Sequence, residues 1–206
     1  MPVSGGDLKE DKTMRFRFAQ MAAVAVACTS LALAEDRGAA TASVNGKKVT
    51  IDYGRPALKG RPLSELIKQL SEDRVWRAGD DQVTTLSTDT DLEIGGKTLK
   101  AGKYSVYVHL AQDGSRNLIL NSDLGQPLGK IWDKAPDNMK NAPWPYIGDY
   151  QAKIGTKELV RASMRKEAAK APVDVFTIDM APAASGATLK LAWGEESWSL
   201  DLKPAK

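Results

Sequence analysis

Arg55, Lys59 and Arg61 cluster in "GRPALKGRP", and further on "RVWRAGDDQ" sets Trp76 and Arg77 beside Gly79, Asp80 and Asp81. A guanidinium fork matches a carboxylate or phosphate by paired hydrogen bonds, and an indole adds a stacking face. Together these residues suit a small anionic ligand or a sugar-acid group. The same charges also allow a structure without a ligand, in which Arg55 and Arg77 close on Asp80, Asp81 or loop carbonyls and staple two connections to the protein. Ion-pair networks commonly have that role.

Acid–base chemistry has few candidates. His109 is the only histidine, so a Ser-His-Asp triad would have to use it, and a hydrolase reading sets it with Asp80 or Asp81. No Gly-x-Ser-x-Gly turn accompanies it, and a clustered His/Cys metal site lacks ligands. Asp80 and Asp81 are adjacent, so in an extended segment they point oppositely and do not form a glycosidase-type pair by themselves. Asp89 and Asp91 share a face in "STDTDLEIGG", with too few oxygen ligands placed for calcium. No motif calls for a cofactor, and none for a metal.

The aromatic residues suggest stacking on a glycan. Trp132 and Trp144 lie on a long irregular stretch, from Ser122 to Tyr150, rich in Pro and Gly. Such a stretch is usually functional or mobile. Trp193 and Trp198 flank a turn at Gly194-Glu195-Glu196 and are expected on opposite faces, one in the core and one exposed.

These residues need elements to position them, and the elements read as strands. In "SVNGKKVTIDY", Asn45-Gly46 suits a two-residue hairpin turn, and Val49, Ile51 and Tyr53 alternate with polar neighbours. "QVTTLSTDTDLEI" and "KTLKAGKYSVYVHL" give further strands, with corners at Gly95-Gly96 and Ala101-Gly102. Alternation there places His109 with Ser105 and Tyr107, opposite Val106, Val108 and Leu110. "NLILN", "ELVRASMRKEA", "VDVFTIDMAP" and "GATLKLAWGEESWSLDL" complete the set. Leu63, Leu66, Ile67 and Leu70 recur at helical spacing and predict one short helix over an end of a sheet. Without crossover helices a parallel sheet has no connections, so the expected fold is all-β: an antiparallel two-sheet sandwich, jelly-roll-like, with one short helix and a long irregular loop.

The N-terminal region reads as an export signal. From Met14, "MRFRFAQMAAVAVACTSLALAED" has two arginines, an apolar run and Ala32-Leu33-Ala34 before Glu35. The expectation is a signal peptide over residues 1–34, with Met14 as the true start, cleaved after Ala34. Residues 35–206 then form a single β-sandwich domain in the periplasm or outside the cell. The apolar run is short of the roughly 20 residues that span a bilayer. "AVAC" offers a lipid anchor at Cys28, disfavoured because Ala25 stands where such sites carry Leu. Cys28 is the only cysteine, so the mature domain has no disulfide. The 29 basic and 26 acidic residues nearly balance, which argues against a nucleic-acid partner.

"VTIDYGRPALKGRP", "VWRAGDDQVTTL", "GGKTLKAGKYSVYV", "APVDVFTIDM" and "ATLKLAWGEESWSLDL" stand in an order that resembles the bacterial exported proteins called domain of unknown function 2911 (DUF2911), over roughly Ser43 to Leu202. The most specific matches are Tyr53, Arg55, Pro56, Lys59, Gly60 and Arg61 in one run and Trp76, Arg77 and Gly79 in another. Where that family tends to continue Ala-Asn-Glu-Ala-Thr, this chain has Asp80, Asp81, Gln82, Val83 and Thr84. The resemblance implies export and an all-β domain and supplies no reaction. The leading expectation is a non-enzymatic binding or structural domain of the cell envelope whose partner is a small anionic ligand, a glycan or an envelope protein. The alternative is the hydrolase using Asp80 or Asp81 with His109.

Overall fold

The computed structural model describes Met1, residues 37–168 and residues 171–206. The export segment, with Met14, Cys28 and the cleavage point after Ala34, lies outside the described residues.

Among the described residues fifteen strands run in chain order. The first eight are β1 (Gly38–Val44), β2 (Lys47–Tyr53), β3 (Val75–Trp76), β4 (Thr85–Thr88), β5 (Leu92–Ile94), β6 (Lys97–Leu99), β7 (Gly102–Leu110) and β8 (Arg116–Asn121). The rest are β9 (Gln126–Pro127), β10 (Pro143–Trp144), β11 (Glu158–Ser163), β12 (Arg165–Glu167), β13 (Val173–Ala183), β14 (Gly186–Gly194) and β15 (Glu196–Pro204). The predicted helix is α1 (Leu63–Lys68), and a single further turn, α2 (Tyr150–Ile154), ends the long loop. Among the described residues no helix is long and apolar enough to cross a membrane.

All pairings are antiparallel. One sheet has the order β1-β2-β4-β7-β8-β11, with β3 also on β7, and the other the order β13-β14-β15-β5-β6, with β12 also on β15. The Asn45-Gly46 turn forms as the sequence requires: both residues have positive φ, 52° and 71°, and Val44 pairs with Lys47. That geometry matches the twist of the strands it joins. Val49, Ile51 and Tyr53 are then buried on one face. They meet Ile178, Met180, Leu189 and Leu200 from the second sheet in one continuous core. Tyr53 also ties the sheets by a hydrogen bond, its hydroxyl donating to the Ile178 carbonyl at 3.1 Å.

The first sheet is covered on its outer face as well. Tyr107 and Ile119 pack there with Tyr150 and Ile154 from the end of the long loop. Tyr107 and Tyr150 stand 4.9 Å apart between ring centres. The fully buried Asn121 amide donates to the Tyr150 hydroxyl at 2.9 Å and to the Ile154 carbonyl at 2.8 Å. This second layer explains why five consecutive residues of β7, Tyr104 to Val108, are all buried.

Trp193 and Trp198 depart from the expectation of opposite faces. Trp193 pairs with Glu196 and Leu191 with Trp198. Residues directly opposite in an antiparallel pair share a face, so a two-residue turn leaves both tryptophans pointing inwards.

Candidate functional site

The inward turn of those tryptophans creates a cavity. At one end the sheets do not close on each other; α1 lies over the gap, and about 350 Å³ remains beneath it. That is at the small end of the range for small-molecule sites, roughly 300–1,000 Å³. Leu63, Leu66, Ile67 and Leu70 face the space from α1 and the residues that follow it. No residue of α1 is buried, so its apolar stripe has no complete protein partner.

The opposite wall is aromatic. Trp76 of β3 stacks on Trp193 of β14, with centres 5.1 Å apart and planes 15° apart. Phe176 meets Trp76 edge-on at 4.8 Å. The Trp193 indole N–H donates to the Asp174 carbonyl at 3.1 Å, so its polar edge is satisfied while its ring faces the cavity.

The "RVWRAGDDQ" stretch borders this space with a tightly turned backbone. Arg74, Ala78 and Asp81 all adopt the left-handed conformation, at φ 51°, 52° and 53°. Such conformations cost free energy for residues with a β-carbon and persist where the surroundings dictate them. Here the Thr84 hydroxyl holds the buried Ala78 carbonyl at 2.9 Å. A β-carbon on Gly79 would lie 3.1 Å from the backbone N and O of Gly54, so this loop and the Arg55–Arg61 loop touch through backbone.

The charges on the lining pair within the protein. Arg77 pairs with Asp80, and its Nε donates to the Gly79 carbonyl at 3.2 Å. Asp80 also accepts the Asp81 N–H at 2.9 Å. Across the cavity the buried Arg116 grips Glu196 with contacts of 2.8, 2.8 and 3.1 Å. Its guanidinium lies 5.2 Å from the centre of the Trp198 ring, whose N–H donates to Glu196 at 3.0 Å.

Of the residues singled out in the sequence, Arg61, Trp76, Arg77 and Asp80 line the cavity. Arg55 is half-buried in the adjoining loop. Lys59 is exposed and left-handed at φ 53°, with its backbone N–H on Asp174 at 3.1 Å. Asp81, Trp132 and Trp144 are not on the lining. Trp132 is exposed, and Trp144 is half-buried in the β9–β10 ribbon.

His109 lies on the other face of β7 from Val108, which lines the cavity. Its Nδ1 is 3.5 Å from the Asn117 side-chain amide. Burial holds its imidazole below the ordinary value, helped by Arg161 and Arg74 and opposed by Asp73 and Glu158. Asp80 and His109 therefore do not face a common space. No group of three or more His, Cys, Asp or Glu side chains able to hold a metal occurs among the described residues.

Phe176, Trp193, Trp198, Arg116 and Glu196 were not anticipated as site residues. The signal for the two tryptophans was the length of the turn between them. Nothing local in sequence links Arg116 to Glu196.

The family described as "Protein of unknown function (DUF2911)" matches residues 36–202. The chain belongs to this family. No curated protein and no solved structure matches it. The DUF2911 match spans every lining residue, and the two runs that carry the resemblance, Tyr53 to Arg61 and Trp76 to Gly79, are the loops that touch at the cavity edge.

Proposed function

We propose that this protein is a non-enzymatic binding domain that takes a predominantly apolar small molecule into the cavity beneath α1. The observation that carries the reading is the apolar face of Leu63, Leu66, Ile67 and Leu70, only half-buried although Ile67 and Leu70 touch the core, and lining a space walled by Trp76, Trp193 and Phe176. Fully burying a Leu or Ile side chain is worth about 1.5–3 kcal/mol, and an occupant would recover the part this helix forgoes. The internal pairing of Arg77 with Asp80 and of Arg116 with Glu196 supports binding over catalysis, since neither carboxylate is left as a base. The Arg-rich start, apolar run and Ala32-Leu33-Ala34 sequence support export, with binding in the periplasm or outside the cell. Sequencing the N-terminus of protein recovered from those fractions tests that part.

Titration with phenylnaphthylamine, a neutral apolar fluorophore, tests the cavity. Saturable enhancement is expected, lost in Leu66→Trp at unchanged melting temperature because the indole fills the space from a position the fold only half buries. Enhancement that Leu66→Trp leaves intact, or none at all, overturns the reading.

A further inference from the structure

We infer that the occupant carries one negatively charged head group, a carboxylate or sulfonate on an apolar body, seated at Arg61 and Arg77; this rests on the cavity reading above. The lining holds three arginines, Arg61, Arg77 and Arg116, against two carboxylates, Asp80 and Glu196. It therefore has one positive charge in excess, and the distribution of hydrogen bonds shows where that charge is offered.

Arg116 offers nothing. Its Nε and Nη2 are on Glu196, and its Nη1 donates to the carbonyls of Gly114 at 3.0 Å and Ser115 at 3.2 Å. Its side chain is 8% exposed. Both carboxylates are likewise engaged: Glu196 by Arg116 and the Trp198 N–H, Asp80 by Arg77 and the Asp81 N–H. A cationic occupant would have to displace an existing partner.

The other two arginines differ. Arg61 donates from Nε to the Leu58 carbonyl at 3.0 Å and from Nη2 to the Ala57 carbonyl at 3.4 Å. Among the described residues it has no carboxylate partner, and its Nη1 has no partner at all. Arg77 uses Nε and Nη2, and its Nη1 is similarly uncommitted. Both arginines line the cavity, Arg61 exposed and Arg77 half-buried, and the loops that carry them touch at Gly54 and Gly79. A neutral occupant would strip water from the half-buried Arg77 donor without replacing it, whereas an anionic head accepts charge-assisted hydrogen bonds from Arg77 and from the exposed Arg61 beside apolar walls.

A matched pair of fluorophores separates head from body: anilinonaphthalene sulfonate, an anion, and phenylnaphthylamine, its uncharged counterpart. At low ionic strength the anion is expected to bind about tenfold more tightly, the order of one charge-assisted hydrogen bond. Arg61→Gln should remove most of that preference, weakening the anion far more than the neutral probe. Arg77→Lys, which keeps the charge beside Asp80 but loses the fork, should remove part of it. Equal affinity for the two probes, or equal weakening of both by Arg61→Gln, overturns the head-group inference while the cavity stands. Binding of neither probe, or binding that Leu66→Trp leaves intact, overturns the cavity reading and this inference with it.

Discussion

Gly54 and Asp80 meet through their backbones: a β-carbon on Gly54 would stand 2.1 Å from the Asp80 carbonyl oxygen. No side chain fits such a gap, so the Arg55–Arg61 loop and the Arg77–Asp80 loop approach as closely as they do only because position 54 is glycine. Gly54→Ala must push the loops apart and is expected to cost about 2–3 kcal/mol. Gly60→Ala is the control. That residue has φ 77° and open space around it, so only the left-handed penalty of about 1–2 kcal/mol applies. Urea denaturation of both variants checks the order. Gly54→Ala should also weaken probe binding, and equal costs with intact binding would show that the contact does not shape the cavity.

Glu196→Ala should be among the most damaging changes at the cavity. It leaves the Arg116 guanidinium, 8% exposed, and the Trp198 N–H without their acceptor. Removing one partner of a buried pair typically costs about 3–5 kcal/mol. Adding Arg116→Met to Glu196→Ala removes the orphaned charge, so the double variant is expected to be more stable than the single one. Denaturation of the four species of this cycle decides, and a double variant less stable than Glu196→Ala would mean that Arg116 supports the fold through its other contacts.

The helical period of Leu63, Leu66, Ile67 and Leu70 was legible in the sequence because it is a local signal, as was the alternation of Val49, Ile51 and Tyr53. The Arg77–Asp80 pair was also within reach, three residues apart on one tight loop. What local patterns could not show was that α1 covers a space it does not fill. That depends on how far apart two sheets stand, which is decided by residues as distant as Trp76 and Trp193. The outer burial of Tyr107 was hidden for a related reason. Alternation marked its face as the one carrying Ser105 and His109, and only docking of Tyr150 makes it a second core. The misplacement of Trp193 and Trp198 is different, since counting the two turn residues puts both on one face.

His109 makes stability depend on pH in a definite direction. Its imidazole is held below its ordinary value by burial first, then by Arg161 and Arg74. The unfolded chain, with a value of about 6.5, therefore binds more protons than the folded one just below that pH. Stability is complete above about 6.5 and falls as the pH drops beneath it. His109→Gln should flatten the loss of melting temperature between about pH 7.5 and pH 5.5. Asp73, whose own value is lowered from 3.8, titrates outside that window. An unchanged slope in the variant would assign the loss to other groups.

A disulfide can test whether α1 governs access. A β-carbon on Gly194 would lie 3.4 Å from that of Leu63, near the roughly 3.5–4.5 Å a disulfide spans. With Cys28→Ser wherever the N-terminal segment is retained, Leu63→Cys and Gly194→Cys should cross-link under oxidation and slow uptake of phenylnaphthylamine, with recovery on reduction. Position 194 has φ 57°, so some stability is lost, about 1–2 kcal/mol. Unchanged uptake in the cross-linked form would place the route away from this end of α1.

The outer layer also depends on one particular strand pairing beneath it. Tyr150 and Ile154 bury themselves on Tyr107 and Ile119, and those two residues sit directly opposite each other on β7 and β8. The platform does not exist on either strand alone; it appears when the two pair. The long segment between β8 and β11 therefore has no platform to settle on until that pair has formed. A chain halted before that segment docks carries an uncovered tyrosine and isoleucine on an otherwise finished sheet, and its vulnerability to self-association is concentrated at that one spot.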